Sequence, residues 1–179
     1  MRGILVGLAI ALGLLNSPAR AEVAAASAGA FIIHGEQTVS VSPERVWRSV
    51  GRIGHWWDSA HTYSGDARRM SLQMRAGGCF CERWSGQSIE HARVLLVMER
   101  QGVRTVRMSG ALGPLQEMGA NGVLTITVTP EGEGARVAMD YRVSGDSSLA
   151  LDAIAPLVDG VLMTQLERLS RYAVAEAAP

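Results

Sequence analysis

The sequence contains no lysine: all 17 of its basic residues are arginine, set against 17 acidic residues. Without an ε-amine there is no Schiff-base chemistry and no P-loop lysine. The formal net charge is zero and the arginines form no stripe, so neither a polyanion nor nucleic acid is implied as a partner. Gly-x-Ser-x-Gly and dinucleotide-binding fingerprints are missing too, as is any internal repeat. Cysteine is scarce. Cys79 and Cys81 stand two apart, and in an extended strand both point to one face with their Cβ atoms too far apart for an unstrained disulfide. Zinc-binding pairs ordinarily have two or more residues between the cysteines. Two buried, inert thiols are expected.

What is present suffices for one domain with a good core: 179 residues, 47% of them hydrophobic and only 19% charged, a globular rather than disordered composition. The first 21 residues read as an export signal. Arg2 supplies a positive start, Ile4 to Leu15 an apolar stretch too short for a comfortable membrane span, and Ala19-Arg20-Ala21 a small-x-small cleavage site. Cleavage leaves 15 basic against 17 acidic residues, a mature net charge of −2. The protein is therefore expected to be periplasmic or secreted, without stable membrane insertion; the rival reading is an uncleaved anchor. Residues 22–30, rich in Ala and Ser, read as a flexible leader, and 31–175 as the domain.

Within the domain, Phe31 to Val41 alternates as a strand, and Ser42-Pro43-Glu44 starts a short helix with Val46, Trp47 and Val50 inward. His55 to Asp58 suggests one more helical turn. Met70 to Met74, Cys79 to Trp84, Ile89 to Met98, Val103 to Ser109, Val123 to Thr129 and Val137 to Val143 read as strands, with a loop over Gly110 to Gly119. Gly86-Gln87 as a two-residue hairpin loop would set Trp84 against Ile89, Arg83 against Glu90 and Glu82 against His91. Leu149 to Ala175 is one long amphipathic helix, its stripe made by Ile154, Val158, Val161, Leu162, Leu166, Leu169 and Tyr172. Pro156 fits only near its start, Gly160 marks a close approach, and Asp159 falls on the solvated side. Gln165 interrupts the stripe. It is either a core amide bonded to backbone or a group pointing into a ligand cavity roofed by the helix. The class is α+β: a meander sheet curling around one helix.

Ser42-Pro43-Glu44-Arg45-Val46-Trp47, Trp56-Trp57, His61-Thr62-Tyr63-Ser64-Gly65-Asp66, Gly77-Gly78 followed by Glu82, Glu90-His91 with Val94, and Val158-Asp159-Gly160-Val161-Leu162 with Gln165 and Leu169 occur in this order over Phe31 to Ala175. Order and spacing resemble the START-related SRPBCC superfamily, nearest its polyketide cyclase/dehydrase-like and heat-shock-protein ATPase activator homologue-like branches. The resemblance implies a helix-grip fold. A curved antiparallel sheet of about six or seven strands wraps a long C-terminal helix, with two short helices after the first strand and an apolar cavity between sheet and helix. It implies ligands such as lipids, sterols, polyketides and plant hormones, and carries over no invariant catalytic residue.

Trp57, His61, Tyr63, Glu82, His91, Val161 and Gln165 are the candidate ligand-binding residues. Glu82 and His91 fall on the strand face shared by Phe80, Trp84 and Ile89; the other face carries Cys79, Cys81 and Ala92, and alternation alone leaves open which lines the cavity. The pair is either an acid–base dyad or a cross-strand contact that fixes register. A zinc site from His61, His91, Glu82 or Cys81 lacks metal-ligand spacing, and no metal or cofactor is expected. Two functions follow. One is an exported protein that binds a small apolar or amphipathic molecule (lipid, polyketide or aromatic metabolite). The other is a cyclase- or lyase-type enzyme with His91 or His61 as general base and Glu82 as its orienter.

Overall fold

A computed structural model describes residues 20–176; the segment read as an export signal lies, up to residue 19, outside the described residues. The chain runs β1 (Arg20–Ser27), β2 (Ala30–Val39), α1 (Pro43–Gly51), α2 (Ile53–Trp56), β3 (Met70–Leu72), β4 (Cys79–Trp84), β5 (Gln87–Arg100), β6 (Val103–Ser109), α3 (Pro114–Glu117), β7 (Asn121–Glu131), β8 (Gly134–Ser144) and α4 (Leu151–Ala175). The strands form one antiparallel sheet in the order β1-β2-β8-β7-β6-β5-β4-β3. It curls around α4, the α+β architecture expected.

The described residues contain eight strands rather than six or seven. The addition is β1. Ala and Ser carry no alternation, so residues 22–27 read as flexible leader and Arg20 and Ala21 as the end of the export signal, yet β1 pairs with β2 from Arg20↔Glu36 to Ser27↔Ala30. An edge strand can be held by its neighbour's unpaired backbone groups, which side-chain pattern does not report.

Alternation sets the concave face. Phe31, Ile33 and Val39 of β2, Leu124, Ile126 and Val128 of β7, and Val137, Met139, Tyr141 and Val143 of β8 are all buried, under α4 and α1. From the helix, Leu162, Leu166 and Leu169 are at most 2% exposed, a burial that stabilises by about 1.5–3 kcal/mol per side chain. At Gly35 helix and sheet come close. A Cβ there would overlap the Met163 thioether and press on Leu166.

Three expectations about α4 change. Gly160 faces open space, so it marks no close approach. Asp159 is half-buried, its Oδ1 without a partner among the described residues, and burial raises its pKa. Pro156 is the sixth helical residue, on the exposed side, so one backbone hydrogen bond is lost inside the helix rather than at its start. Ser42 stands at the N-cap of α1 but makes no side-chain cap bond.

The β4–β5 hairpin also differs. Its loop is Ser85-Gly86, with φ of 42° and 79°. Positive φ at both central residues is the type I′ turn whose twist suits a hairpin, and glycine occupies the second position, not the first. The register is therefore Trp84↔Gln87, Arg83↔Ser88 and Glu82↔Ile89, two residues from that expected. Since the displacement is an even number, side chains as far as Glu90 keep their faces; beyond the register shift between Phe80 and Cys81 it is odd, and Ala92, expected on the face of Cys79 and Cys81, joins Phe80 instead.

Candidate functional site

A cavity of about 380 Å³ lies between the sheet and the N-terminal half of α4. One wall is α4 itself, with Ile154, Leu157, Val158, Val161 and Leu162. The opposite wall comprises Trp57, Ala60, His61, Thr62 and Tyr63 from the segment after α2, with His91 from β5. Leu112, Gly113, Pro114 and Glu117 close the third side. Leu157 is 67% exposed and Tyr63 43%, and they mark the mouth. Tyr63 Oη donates to the Gly113 carbonyl at 3.3 Å, linking two sides of the rim.

Each wall is held from behind. Gln165 is fully buried, and the Asp58 N–H donates to its Oε1 at 2.8 Å. Its Nε2 donates to His61 Nδ1 at 3.4 Å. The helix thus fixes the segment that carries Trp57, His61 and Tyr63, helped by Arg168, whose Nε donates to the Trp56 carbonyl at 2.7 Å. Trp56 belongs to the core and Trp57 faces the cavity, its Nε1 donating to the His61 carbonyl at 3.0 Å. On the third side, buried Tyr141 donates from Oη to the Gly110 carbonyl at 3.1 Å and accepts from the Leu112 N–H at 2.9 Å. Burial pushes its phenol up to about 12. Gly122 makes room for this ring, since a Cβ there would meet the Gly110 carbonyl and the Tyr141 hydroxyl.

The polar centre is His91. Phe80 pairs with Ala92 and Cys81 with Glu90, so His91 is the extra residue of a β-bulge. Its ring lies 5.0 Å from that of Phe80 and 5.9 Å from that of Tyr63, and its Nε2 is 3.1 Å from Glu82 Oε2. Glu82 has no solvent exposure. Its Oε1 accepts from Ser64 N–H at 2.5 Å and its Oε2 from Tyr63 N–H at 3.1 Å. Burial raises the Glu82 pKa, but the donors from Ser64, Tyr63 and His91 outweigh it and the net shift is downward. Burial lowers the His91 pKa, and the hydrogen bond and charge of Glu82 restore only part. The ground state is thus an ionised Glu82 beside a neutral imidazole. A carboxylate can only accept, so the proton sits on Nε2. Nδ1, with no partner among the described residues, is left as an acceptor on the cavity wall.

Of the residues proposed from sequence, Trp57, His61, Tyr63, His91 and Val161 are brought together around the void. Glu82 and Gln165 stand one layer behind and bond to the residues that line it. Alternation left open which face of β4 is inward; it is that of Phe80 and Glu82. The third side, with Leu112, Pro114 and Glu117, lies in the stretch expected to be loop, where the structure has the short helix α3. Its one signal is the apolar pair Leu112 and Leu115 within an otherwise glycine-rich stretch.

The disulfide expectation is overturned. Cys79 and Cys81 are joined, with their Cα atoms 5.3 Å apart. Two residues of regular strand span about 6.6–6.8 Å. β4 is contracted where the ladder breaks, a distortion that alternation cannot reveal.

A curved sheet closed on one long helix around a small-molecule-sized void defines a helix-grip protein of the SRPBCC kind. The chain belongs to the family described as polyketide cyclase/dehydrase and lipid transport, which matches residues 30–174. Among solved structures it is similar to an uncharacterised protein from Rhizobium leguminosarum, with 16% identity, a TM-score of 0.56, and coverage of 89% of this chain and 99% of that one. It is similar also to a point mutant of norcoclaurine synthase from Thalictrum flavum in complex with a transition-state analogue, at 16% identity and TM-score 0.54 over 83% of this chain and 97% of that one. A third is Ara h 8.0201, at 12% identity and TM-score 0.53 over 82% and 99%. Identities this low carry the fold alone. No functionally curated protein matches the sequence.

Proposed function

We propose that this protein binds a small, largely apolar molecule carrying a neutral hydrogen-bond donor, with the apolar body against α4 and the donor on His91 Nδ1. The observation behind this reading is the lining. It is mostly apolar, includes no arginine, and presents a neutral imidazole acceptor and one carboxylate, Glu117, at the rim. Burial, then the charges of Glu117 and Glu82, raise the Tyr63 phenol, the sign expected at a mouth with negative potential. A hydroxylated lipid, polyketide or aromatic metabolite suits such a site better than a carboxylate or phosphate. We propose further that the protein acts outside the cytoplasm, on the strength of the N-terminal segment; N-terminal sequencing of protein from its own host tests this. No described helix is long and apolar enough to cross a membrane.

Three probes with one ring system separate the possibilities: 2-naphthol, 2-methoxynaphthalene and 2-naphthoate. The first is expected to bind about tenfold more tightly than the second, as one hydrogen bond of about 1–1.5 kcal/mol requires, and the third more weakly than either. In His91→Phe the first two become equal. Tightest binding of 2-naphthoate would overturn the reading. Native mass spectrometry of protein purified from its host then identifies the resident ligand.

The His91–Glu82 geometry also favours a second reading, general-base catalysis. His91 Nδ1 takes a proton from a bound substrate, the imidazolium formed is stabilised by the Glu82 carboxylate, and the proton is returned to the product. Turnover of envelope metabolites that survives both His91→Ala and His61→Ala removes it.

A further inference from the structure

Cys79 and Cys81 play no part in the binding just described, yet they sit directly behind it. They point away from the cavity, on the face of β4 opposite Phe80 and Glu82, and close a disulfide ring around Phe80. That ring occupies the rung at which the β4–β5 ladder breaks and His91 is inserted. With the Cα atoms 5.3 Å apart, against about 6.6–6.8 Å for regular strand, β4 is shortened by more than 1 Å. A longer β5 opposite a shorter β4 is the geometric condition for an extra residue on β5. The disulfide and the bulge that presents His91 are thus two sides of one distortion.

The bond is also placed for exchange. A ring closed over a separation of two residues removes little freedom from the unfolded chain, about half the stabilisation of a 15-residue loop, so the fold loses little when the bond is reduced. Its cover is thin. Arg93, opposite Cys79 in the ladder, and Glu90, opposite Cys81, form an ion pair over the sulfurs, and their side chains are 53% and 43% exposed. Cys79 Sγ lies 3.9 Å from Glu90 Oε2, whose charge beside the sulfur is offset by its pairing with the Arg93 guanidinium.

We propose that Cys79–Cys81 is a reversible dithiol/disulfide couple that controls the presentation of His91 to the cavity. A thiolate of an external dithiol attacks Cys79 Sγ, the bond to Cys81 breaks, and Cys81 leaves as thiolate and takes a proton. The second thiolate of the reductant then attacks its own sulfur in the mixed disulfide. Cys79 is released and protonated, and the reductant leaves as a cyclic disulfide. Two electrons and two protons pass to the protein. Freed of the ring, β4 lengthens toward regular strand spacing. Phe80 and Glu82 shift along the strand relative to His91, and a bond of 3.1 Å cannot absorb a displacement of that size unchanged.

Only the last consequence, altered ligand affinity, rests on the binding function proposed above. The test treats the full folded protein with dithiothreitol, then with diamide. Intact mass should rise by about 2 Da and return, with the far-ultraviolet spectrum unchanged. Imidazole ring-nitrogen resonances of 15N-His protein should show His91 in two positions, one for each redox state. His91 in the Cys79→Ser/Cys81→Ser variant should match the reduced form; where that variant does not fold, chemical reduction of the native protein remains decisive. A bond that resists dithiothreitol in the folded state overturns the proposal, as does a His91 signal identical in both states. 2-Naphthol affinity is measured alongside. A redox-sensitive His91 without naphthol binding in either state would refute the binding function and leave the couple standing.

Discussion

Glu82→Gln probes the buried centre most directly. The carboxylate has no exposure and accepts three N–H groups, from Ser64, Tyr63 and His91. A carboxamide of nearly the same shape has one oxygen and one NH2 group. If the NH2 replaces Oε1 it confronts the Ser64 N–H; if it replaces Oε2 it confronts the Tyr63 N–H and, unless the imidazole changes tautomer, the His91 Nε2–H. At least one buried backbone donor loses its acceptor, and the surviving bonds lose their charge. A hydrogen bond to a charged group contributes about 1.5–3 kcal/mol, and a buried unpaired N–H costs about 1–3 kcal/mol. Allowing for the relieved desolvation of the carboxylate, we expect a loss of about 2–3 kcal/mol. For a domain of this size that lowers Tm by about 4–12 °C.

The pH dependence is equally specific. Glu82 has a lowered pKa in the fold, so its contribution is complete above the unfolded carboxylate value and disappears as pH falls through the folded one. His91 also has a lowered pKa. The unfolded state therefore takes up its proton first, and stability falls as pH drops below the ordinary imidazole value, about 6.5. In Glu82→Gln the carboxylate part of the acid slope vanishes while the imidazole part remains, and the His91 pKa moves lower still because the carboxylate had been raising it. Urea unfolding across the acid range, with NMR titration of His91, measures both. A Glu82→Gln protein within about 0.5 kcal/mol of wild type at neutral pH, a change typical of an exposed site, or a His91 pKa that rises, refutes this account of the site.

Gln165→Leu leaves the Asp58 N–H without its acceptor and is expected to cost about 1–3 kcal/mol, read by chemical denaturation, with His61 more mobile in NMR relaxation. Gly160→Ala, on an open stretch of α4, should gain about 0.5–1 kcal/mol from helix propensity alone; a loss would mean that the side chain meets something there. Val161→Trp, on the cavity wall, should weaken 2-naphthol by about tenfold or more, a loss of at least about 1.4 kcal/mol, while the far-ultraviolet spectrum stays native. Gly122→Ala should lower Tm and loosen the rim, because the added methyl displaces Tyr141 from the Gly110 carbonyl; hydrogen exchange at the Leu112 N–H reads the effect.

The sequence by itself determined the class of fold, because periodicity reports which faces meet a core. The seven-residue stripe of α4, the alternation of the strands and the Ser-Pro-Glu helix start all translate into one α+β arrangement. It also determined that Glu82 and His91 share a face, a conclusion that survived a wrong hairpin register because the displacement was even. Tertiary structure alone decided the rest. The stripe has one period throughout, so nothing local separates Leu166 and Leu169, packed on the sheet, from Ile154, Val158 and Val161, which line a void. Gln165 could serve either the interior or a ligand until the Asp58 N–H was seen to reach it across 107 residues. The bulge at His91 and the contraction between Cys79 and Cys81 arise from two strands bending together around a helix. Curvature belongs to the assembled sheet, and no single strand carries it.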